Sequence, residues 1–553
     1  MKRERLGRLW AALLMGAATA AWACAGPGSG AQSIAGPGCV RPAGDHGVAA
    51  AMREIYRARG TVPLWSRNGA PTAQAREVLR RLEHADRYGL RSRDYAARSL
   101  ERLAAALESG QPGARDRAAR TARFDVSLTA QTLQFIADLH YGRVDPRKAG
   151  FHLAARREPF DLAAAVERLA TASDVTPVIE SVEPQFYHYR LLEQALQRYL
   201  ALARQPGLTE LPRPNRPLEL GSRYAGVPAL RRLLAALGDL ASADANASGP
   251  ARIDAALVAA VRRFQSRHGL KPDGIVGRAT YAALVTPMAY RVRQIDLTLE
   301  RWRWLPAFRS PPIIVNIPEF RLFAFRTTAD RKASILQMDV IVGKAYPLTR
   351  TPVFTADMRY IIFRPYWDIP HDIMKREMLA HIRDDPRYLA EQHLQIVRGD
   401  SDAAQPLPAS PQNVEALAAG LLRLRQEPGP QNALGLIKFI FPNAHDVYLH
   451  STPAHQLFGQ ARRAFSHGCI RVSDPVALAA LVLRGTPGNW TPEKIAAAMS
   501  GAKTFRVTLA RPVRVMILYG TVLATESGQV LFFEDLYAED RRLAALLGLK
   551  PLP

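Results

Sequence analysis

The sequence predicts a multidomain α+β protein: a helical domain, a small unit of three helices, and a β-rich domain interrupted by a helical insertion. Two observations lead to this fold class. The chain has 553 residues, which is too many for one ordinary hydrophobic core. Its pattern also changes near residue 290, from apolar residues spaced three and four apart to alternating runs rich in β-branched and aromatic residues.

Five stretches follow from these patterns. Residues 48–212 predict a helical scaffold domain, and residues 213–290 predict a compact unit of three helices. Residues 291–500 predict the β-rich domain, with a polar helical insertion at about 371–432 that we expect to act as a lid. Residues 501–553 add further strands and a tail. The chain is therefore expected to fold as several cores joined in series.

Composition and charge limit the class of protein. Hydrophobic residues make up 48% of the chain and aromatic residues 8%, which is typical of folded domains rather than of disordered or multispanning chains. The formal net charge of +24 fits either a solvated basic surface or attraction to an anionic polymer or membrane face. Because no nucleic-acid recognition module is recognisable, we expect no nucleic-acid partner.

Residues 1–25 predict a secretory signal, because basic residues precede a short apolar run and small residues. Cleavage after Ala23 or after Ala25 fits this pattern, and so does an uncleaved signal that anchors the chain in a membrane. A lipid anchor on Cys24 fits less well, because Trp22 is bulky where a small residue is required. We therefore expect an exported protein, without a membrane anchor unless the signal is uncleaved.

Three cysteines occur in the chain, and one of them stands apart. Cys24 and Cys39 lie in the signal and in a flexible leader, residues 26–47, that is rich in Gly, Pro and Ser. The two could pair with each other if cleavage follows Ala23. Cys469 lies in the stretch AFSHGCIRV, where small and polar neighbours argue against a buried, inert thiol. An unpaired thiol is exposed to damage in an oxidising compartment, so a chemical role is the favoured interpretation.

A nucleophilic thiol needs a base within hydrogen-bond reach. His450 ends the predicted strand DVYLH, nineteen residues before Cys469, and two strands joined by such a loop can bring their ends together. We therefore predict that His450 is the general base and Cys469 the nucleophile. His445, His455 and His467 lie near enough in sequence to imitate a zinc site, but no familiar zinc-ligand spacing is present, so we expect no metal and no cofactor.

Two motifs resemble known families. The smaller unit resembles the three-helix type of peptidoglycan-binding domain, whose signature fits Phe264, Gln265, the run His268–Gly269–Leu270, Asp273, Gly274, Gly277 and Thr280. The runs SHGCIRV and YLHSTP are similar to the catalytic signature of YkuD-type L,D-transpeptidases, cysteine enzymes that cross-link peptidoglycan. From about residue 48 to 540, the domain order resembles the large periplasmic YcbB-like branch of that family.

The resemblance to the transpeptidases implies roles for individual residues. Cys469 attacks, His450 takes its proton, and the backbone carbonyl of Ser451 holds the other imidazole nitrogen, although relatives often have glycine or aspartate at that position. The backbone N–H groups of Gly468 and Cys469 face the oxyanion, and the turn also includes Ser466 and His467. A thiol beside an imidazole can also be a thiolate near neutral pH.

The resemblance also implies contacts with the substrate. Arg471 and Tyr448 are expected to contact the substrate or to support residues that do. Tyr366 and Trp367 are expected where the insertion meets the cleft. The partners implied are peptidoglycan stem peptides and glycan strands, together with other proteins of cell-wall synthesis.

The implied reaction joins two stem peptides by a 3→3 cross-link through a thioester, with release of D-alanine, in the periplasm of a Gram-negative envelope. A carbapenem is expected to acylate the same cysteine. Water as the acceptor would make the enzyme an L,D-carboxypeptidase. A zinc-dependent peptidoglycan hydrolase and a non-catalytic wall-binding scaffold are the alternatives from other classes.

Overall fold

A computed structural model gives the fold of the protein. It describes residues 47–550 except 61, 110–113, 154–159, 246–250, 307–309, 326–335, 347–348, 386 and 400. The predicted signal, the predicted leader up to residue 46, and the cysteines Cys24 and Cys39 lie outside the described residues. The described chain divides into two compact units, residues 47–306 together with 520–550, and residues 310–519.

The first unit begins with amphipathic helices around one hydrophobic core. Among the described residues these helices are Val48–Arg59, Ala73–Glu83, Ala97–Glu108, Ala114–Tyr141, Leu162–Thr171 and Thr176–Val182. The helix Tyr187–Ala203 follows them in the chain. A short hairpin of β1 (Ser66–Arg67) and β2 (Ala70–Pro71) joins the first two helices. The expected helical scaffold is present, because apolar residues at helical spacing can bury a continuous stripe only by packing helix against helix.

Three helices follow, Val227–Leu237, Ala255–Arg267 and Arg278–Leu284, as the motif predicts. The motif residue Gln265 is buried and holds the turn between the last two helices. Its Oε1 accepts the Gly274 N–H at 2.7 Å, and its Nε2 donates to the Ile275 carbonyl at 3.0 Å. Gly274 has φ +79°, a conformation that favours glycine. The helix Met288–Arg303 completes this part of the unit.

The second unit is built on one large sheet. Its strands are β3 (Ile313–Asn316), β4 (Arg321–Ala324), β5 (Leu336–Gly343), β6 (Phe354–Phe363), β11 (Ile437–Ile440), β12 (Leu449–His450), β13 (Ala464–Ser466), β14 (Ile470–Val472) and β15 (Phe505–Leu518). The strand order is β13-β5-β14-β12-β11-β6-β15-β3-β4, and β4 also pairs with β5. This second pairing closes eight of the strands into a barrel, with β13 added beside β5. The helices Pro475–Val482 and Pro492–Ser500 lie between β14 and β15 in the chain.

The insertion between β6 and β11 contains strands as well as helices, which corrects the expectation of a purely helical lid. Its strands β7 (Trp367–Asp368), β8 (Leu394–Val397), β9 (Pro406–Leu407) and β10 (Arg423–Gln426) form a separate sheet in the order β7-β10-β8-β9. Its helical stretches are His371–Ile373, the π-helical Met374–Met378, Leu379–Asp384, Arg387–Glu391 and Pro411–Ala418. The insertion also has a hydrophobic core of its own. Runs such as LQIV were read as helical because short apolar segments do not distinguish strand from helix by periodicity.

The last described segment, residues 520–550, belongs to the first unit rather than to the barrel. It contains a hairpin of β16 (Val522–Ala524) and β17 (Val530–Phe532) and the helix Glu539–Leu546. Asp540 on that helix forms a buried ion pair with Arg301, at 2.5 Å. Across the described ranges, no helix is both long enough and apolar enough to span a bilayer.

Candidate active site

The strand pairing places the two predicted catalytic side chains on neighbouring strands. β12 runs parallel to β14, with Leu449 opposite Ile470 and His450 opposite Arg471. Leu449 and Ile470 are fully buried in the barrel. Because side chains alternate along a strand, His450 lies on the opposite face, and so does Cys469, one residue before Ile470. His450 and Cys469 therefore share one face at a diagonal cross-strand position.

His450 is held as a neutral base. Its ring is buried, and its Nδ1 donates to the Ser451 carbonyl at 2.6 Å, the contact that the resemblance implied. This bond assigns the proton to Nδ1 and leaves Nε2 as the acceptor. Burial lowers the pKa of His450 to about 3, and the positive charge of Arg471 acts in the same direction. The imidazole is thus unprotonated at neutral pH and able to accept a proton.

Cys469 is half-buried, and its thiol donates to the Asp446 carbonyl, with Sγ and O 3.6 Å apart. Burial raises the pKa of the thiol above its ordinary value of 9.0, although hydrogen bonding with Tyr448 and the charge of Lys438 lower it. The resting pair is therefore a thiol and a neutral imidazole. This corrects the expectation of a thiolate near neutral pH, because desolvation outweighs the nearby donors and cation.

The turn before Cys469 is closed by Ser466. The Ser466 hydroxyl donates to the Cys469 carbonyl at 2.5 Å and accepts the Gly468 N–H at 3.1 Å. Gly468 has φ +123°, in the region that favours glycine, and its carbonyl accepts a hydrogen bond from Thr351 Oγ1 at 2.8 Å. Since Ser466 already engages the Gly468 N–H, that group does not face an oxyanion here. Of the two oxyanion donors that the resemblance implies, the Gly468 N–H is thus already hydrogen-bonded within the turn.

Ser451 contributes its side chain as well as its carbonyl. Its buried Oγ accepts the N–H groups of Leu436 at 2.7 Å and Ile437 at 3.1 Å, at the start of β11. This second role was missed, because the resemblance implied only a backbone contact at this position. The hydroxyl joins the loop after the base to the neighbouring strand.

His467 connects the catalytic turn to the insertion. Its Nε2 lies 2.7 Å from Glu377 Oε1, and Glu377 is in the π-helical stretch of the insertion. The two side chains are 27% and 49% exposed, so water can compete for this pair. His467 therefore contacts the insertion as well as belonging to the turn, and the resemblance did not imply this contact.

The insertion and the barrel border an open cavity of ≈ 260 Å³, which is lined by Arg471, the residue opposite His450, but not by His450 or Cys469 themselves. Its lining residues are Trp367, Met378, Tyr388, Gln392, Leu394, Gln426, Gln431, Ala433, Thr452, Pro453, Ala454 and Arg471. Of the residues predicted to contact the substrate, Trp367 and Arg471 line this cavity. Tyr366 instead lies under the guanidinium of Arg425, with 4.3 Å from Cζ to the ring centroid. Its ring therefore contacts a residue of the insertion and does not line the cavity.

Sequence reasoning missed three further residues of the site. Asn443 stabilises the loop before β12, because its Nδ2 donates hydrogen bonds to the Phe441 and Val447 carbonyls at 2.7 and 2.8 Å. That loop presents the Asp446 carbonyl to the thiol. Lys438 lies on β11, directly opposite His450. The turn-forming residues of FPNAHD could have indicated the loop, but only strand pairing shows which lysine reaches the site.

The other histidines do not assemble a metal site within the part of the chain that the structure describes. No group of three or more His, Cys, Asp or Glu side chains there is placed to hold a metal ion. The His445 ring lies 5.0 Å from the ring of Phe354, and His455 is exposed.

Comparison with protein families assigns the barrel. Residues 311–489 match the model described as the L,D-transpeptidase catalytic domain, YkuD. The barrel is a YkuD L,D-transpeptidase catalytic domain. Residues 223–284 match the model described as a "Putative peptidoglycan binding domain", and residues 50–196 match one described as a "Scaffold domain". The transpeptidase domain thus contains Cys469, His450 and the insertion.

One curated relative is similar to part of the chain. A protein of Haemophilus influenzae named "Putative L,D-transpeptidase" is 28% identical over 251 residues, which is 45% of this chain and 49% of the relative. The chain therefore spans about half the length of the curated relative it matches.

Proposed function

We propose that this chain is a peptidoglycan L,D-transpeptidase that uses Cys469 as its nucleophile in the periplasm of a Gram-negative envelope. One observation carries the proposal: the neutral imidazole of His450, held by the Ser451 carbonyl, shares a sheet face with Cys469 in a domain that matches the transpeptidase model. The signal-like N-terminus and the peptidoglycan-binding match support the compartment and the substrate.

In the first step, His450 Nε2 accepts the thiol proton as the sulfur attacks the carbonyl between the diamino acid and the terminal D-alanine of a tetrapeptide stem. The thiol must turn from the Asp446 carbonyl toward His450 for this transfer. The carbonyl oxygen becomes an oxyanion that the Cys469 N–H can stabilise. The C–N bond then breaks, and D-alanine leaves with the proton from His450, so a thioester remains.

In the second step, a side-chain amine of a neighbouring stem attacks the thioester carbonyl and gives a proton to His450. The C–S bond breaks, and the sulfur takes that proton back. The product is a 3→3 cross-link, and no ATP is consumed because the thioester keeps the acyl group activated. Water in place of the amine would release the free stem, which is the L,D-carboxypeptidase reaction.

Two arrangements support the assignment of the substrate. The cavity joins an aromatic wall to the cation of Arg471, the residue opposite His450, and this suits a peptide that bears carboxylates. The peptidoglycan-binding match suggests that the same chain binds glycan strands or stems through its first unit. Other cell-wall synthesis proteins are proposed partners that would supply tetrapeptide donors.

The test uses the purified chain, tetrapeptide muropeptides and product identification by mass. We expect cross-linked dimers that have lost one D-alanine, and a decrease of about 10³-fold or more for Cys469→Ala. A carbapenem should leave a covalent adduct on Cys469 in the wild type and none in the variant. Activity that a chelator abolishes and Cys469→Ala retains would instead indicate a metal-dependent hydrolase.

A further inference from the structure

Lys438 is a cation of the active-site face that the proposed mechanism does not use. Strand β11 runs antiparallel to β12, and Lys438 is paired with His450. Its neighbours Ile437 and Phe439 are fully buried, so alternation places Lys438 on the face that carries the base. Its Nζ lies 3.8 Å from the ring centroid of Tyr448, well within the range of a cation–π contact.

Tyr448 connects this cation to the sulfur. The carbonyl of Tyr448 accepts the Ile470 N–H at 3.0 Å, which aligns Tyr448 with Cys469 across the strand pair. The Tyr448 side chain therefore lies on the same face as the Cys469 thiol, and each group shifts the pKa of the other. A cation on the face of a phenol ring attracts its electrons, and this makes the hydroxyl a stronger donor.

The charges that face these groups come from several elements. The sulfur is faced by Tyr448, Lys438, Arg471 and the carboxylate of Asp446, and His450 is faced by Arg471 and Lys438. Lys438 is faced by three carboxylates, and all three are exposed to solvent: Asp368, Asp402 and Asp446. Solvent screens exposed charges, whereas Lys438 is half-buried on the Tyr448 ring.

We infer that Lys438 is a positioning residue for the thiol: its ammonium, seated on the Tyr448 ring, holds the Tyr448 hydroxyl on the sulfur and supplies the positive charge that offsets a thiolate. This inference rests on the proposed function, since it assumes that Cys469 is the nucleophile. The same positive charge disfavours a proton on His450. Lys438 therefore stabilises the thiolate that forms in the first step, opposes the protonated state of His450 in that step, and helps His450 to pass the proton on to the departing amine.

The test measures the thiol itself rather than cross-linking. The full chain is alkylated with iodoacetamide from pH 6 to 10, and modification of the Cys469 peptide is followed by mass spectrometry, separately from Cys24 and Cys39. We expect Lys438→Met to move the alkylation profile up by about one pH unit, which slows the reaction about 10-fold at pH 7.5. Lys438→Arg should recover most of this loss, because arginine keeps a cation that stacks on aromatic rings.

The route through Tyr448 is tested by a double variant. In Tyr448→Phe, the hydroxyl is absent, so adding Lys438→Met should change alkylation by less than about 3-fold. Lys503→Met removes an exposed lysine of the same unit and is the matched control, with an unchanged profile. Thermal unfolding of each variant checks that the fold is intact.

Two results would overturn the inference: an unshifted profile for Lys438→Met in a folded protein, or an effect of Lys438→Met that is undiminished in Tyr448→Phe. If the profiles shift as expected but wild-type protein forms no cross-links from muropeptides, the proposed function fails while the role of Lys438 toward the thiol stands. The two proposals are therefore separable.

Discussion

Burial acts in opposite directions on the protonation of the two side chains at the centre of the site. It lowers the pKa of the His450 imidazole to about 3 and raises the pKa of the Cys469 thiol. Both groups are therefore uncharged at neutral pH, and the charged pair forms only during the reaction. The sequence could identify these two residues, but it could not predict their protonation, which depends on how much water the fold removes.

The pH dependence of the reaction follows from this neutral pair. Catalysis requires neutral His450, so the acidic limb of kcat/KM should lie near pH 3 to 4 rather than near the ordinary histidine value of 6.5. Because the thiol pKa is raised, the alkaline limb should lie above pH 9. Steady-state cross-linking rates from about pH 2.5 to about pH 10.5 measure both limbs. An acidic limb centred at 6 to 7 in a folded enzyme would contradict a buried, neutral His450.

At the level of elements, the insertion is a folded part of the second unit with its own sheet and core. It contributes most of the cavity wall, and it contacts the catalytic turn through Glu377 and His467. We expect a wall of this kind to limit the access of water to the proposed thioester and so to favour the amine acceptor over hydrolysis. The position of the insertion was predictable from the interruption of the strand pattern, but its contact with the turn was not, because Glu377 and His467 are ninety residues apart in sequence.

Glu377→Ala should loosen this contact. A partly exposed pair contributes about 0.2–1 kcal/mol, so we expect the ratio of hydrolysed to cross-linked product to rise about 1.5- to 5-fold. Hydrogen exchange in residues 371–384 should quicken in parallel. Both readouts come from mass spectrometry of the same samples.

Glu415→Ala is the matched control for Glu377→Ala. It removes an exposed ion pair with Arg383 that lies within the insertion, 2.7 Å long, and leaves the catalytic turn untouched. Its product ratio should equal that of the wild type. If Glu377→Ala and the wild type gave equal product ratios, the contact between the insertion and His467 would have no effect on the choice between amine and water as acceptor.

At the scale of the whole molecule, the end of the described chain returns to the first unit. Residues 520–550 supply a hairpin and a helix to that unit, and Asp540 pairs there with Arg301 beneath the surface. The side chains of this pair are only 3% and 2% exposed. Removing one partner of a buried pair leaves an uncompensated charge, which is strongly destabilising.

Asp540→Ala should therefore destabilise the first unit by about 3–5 kcal/mol. Calorimetry and limited proteolysis of the full chain should show earlier unfolding and cleavage within residues 47–306, while fragments of residues 310–519 persist. Arg541→Ala, at an exposed position of the same helix, is the control and should behave as the wild type. Simultaneous loss of both units in Asp540→Ala would contradict the division into two separately stabilised units.

The sequence by itself determined the kind of most elements outside the insertion, and it singled out Cys469 and His450 as the candidate reactive pair. Alternating apolar residues specify the barrel strands, glycine positions specify turns such as those at Gly274 and Gly468, and the SHGC run marks Cys469. These are local properties, since they depend on side-chain period and on backbone conformations that few residues adopt.

Only the tertiary structure decided which distant residues share the site and which unit each strand joins. The pairing of β11 with β12 brings Lys438 opposite His450, closure of the barrel requires β4 to pair with β5, and residues 520–550 leave the barrel for the first unit. Strand pairing, desolvation and ion-pair burial arise between segments far apart in the chain. Their energies depend on what surrounds a residue in space, and no local pattern contains that information.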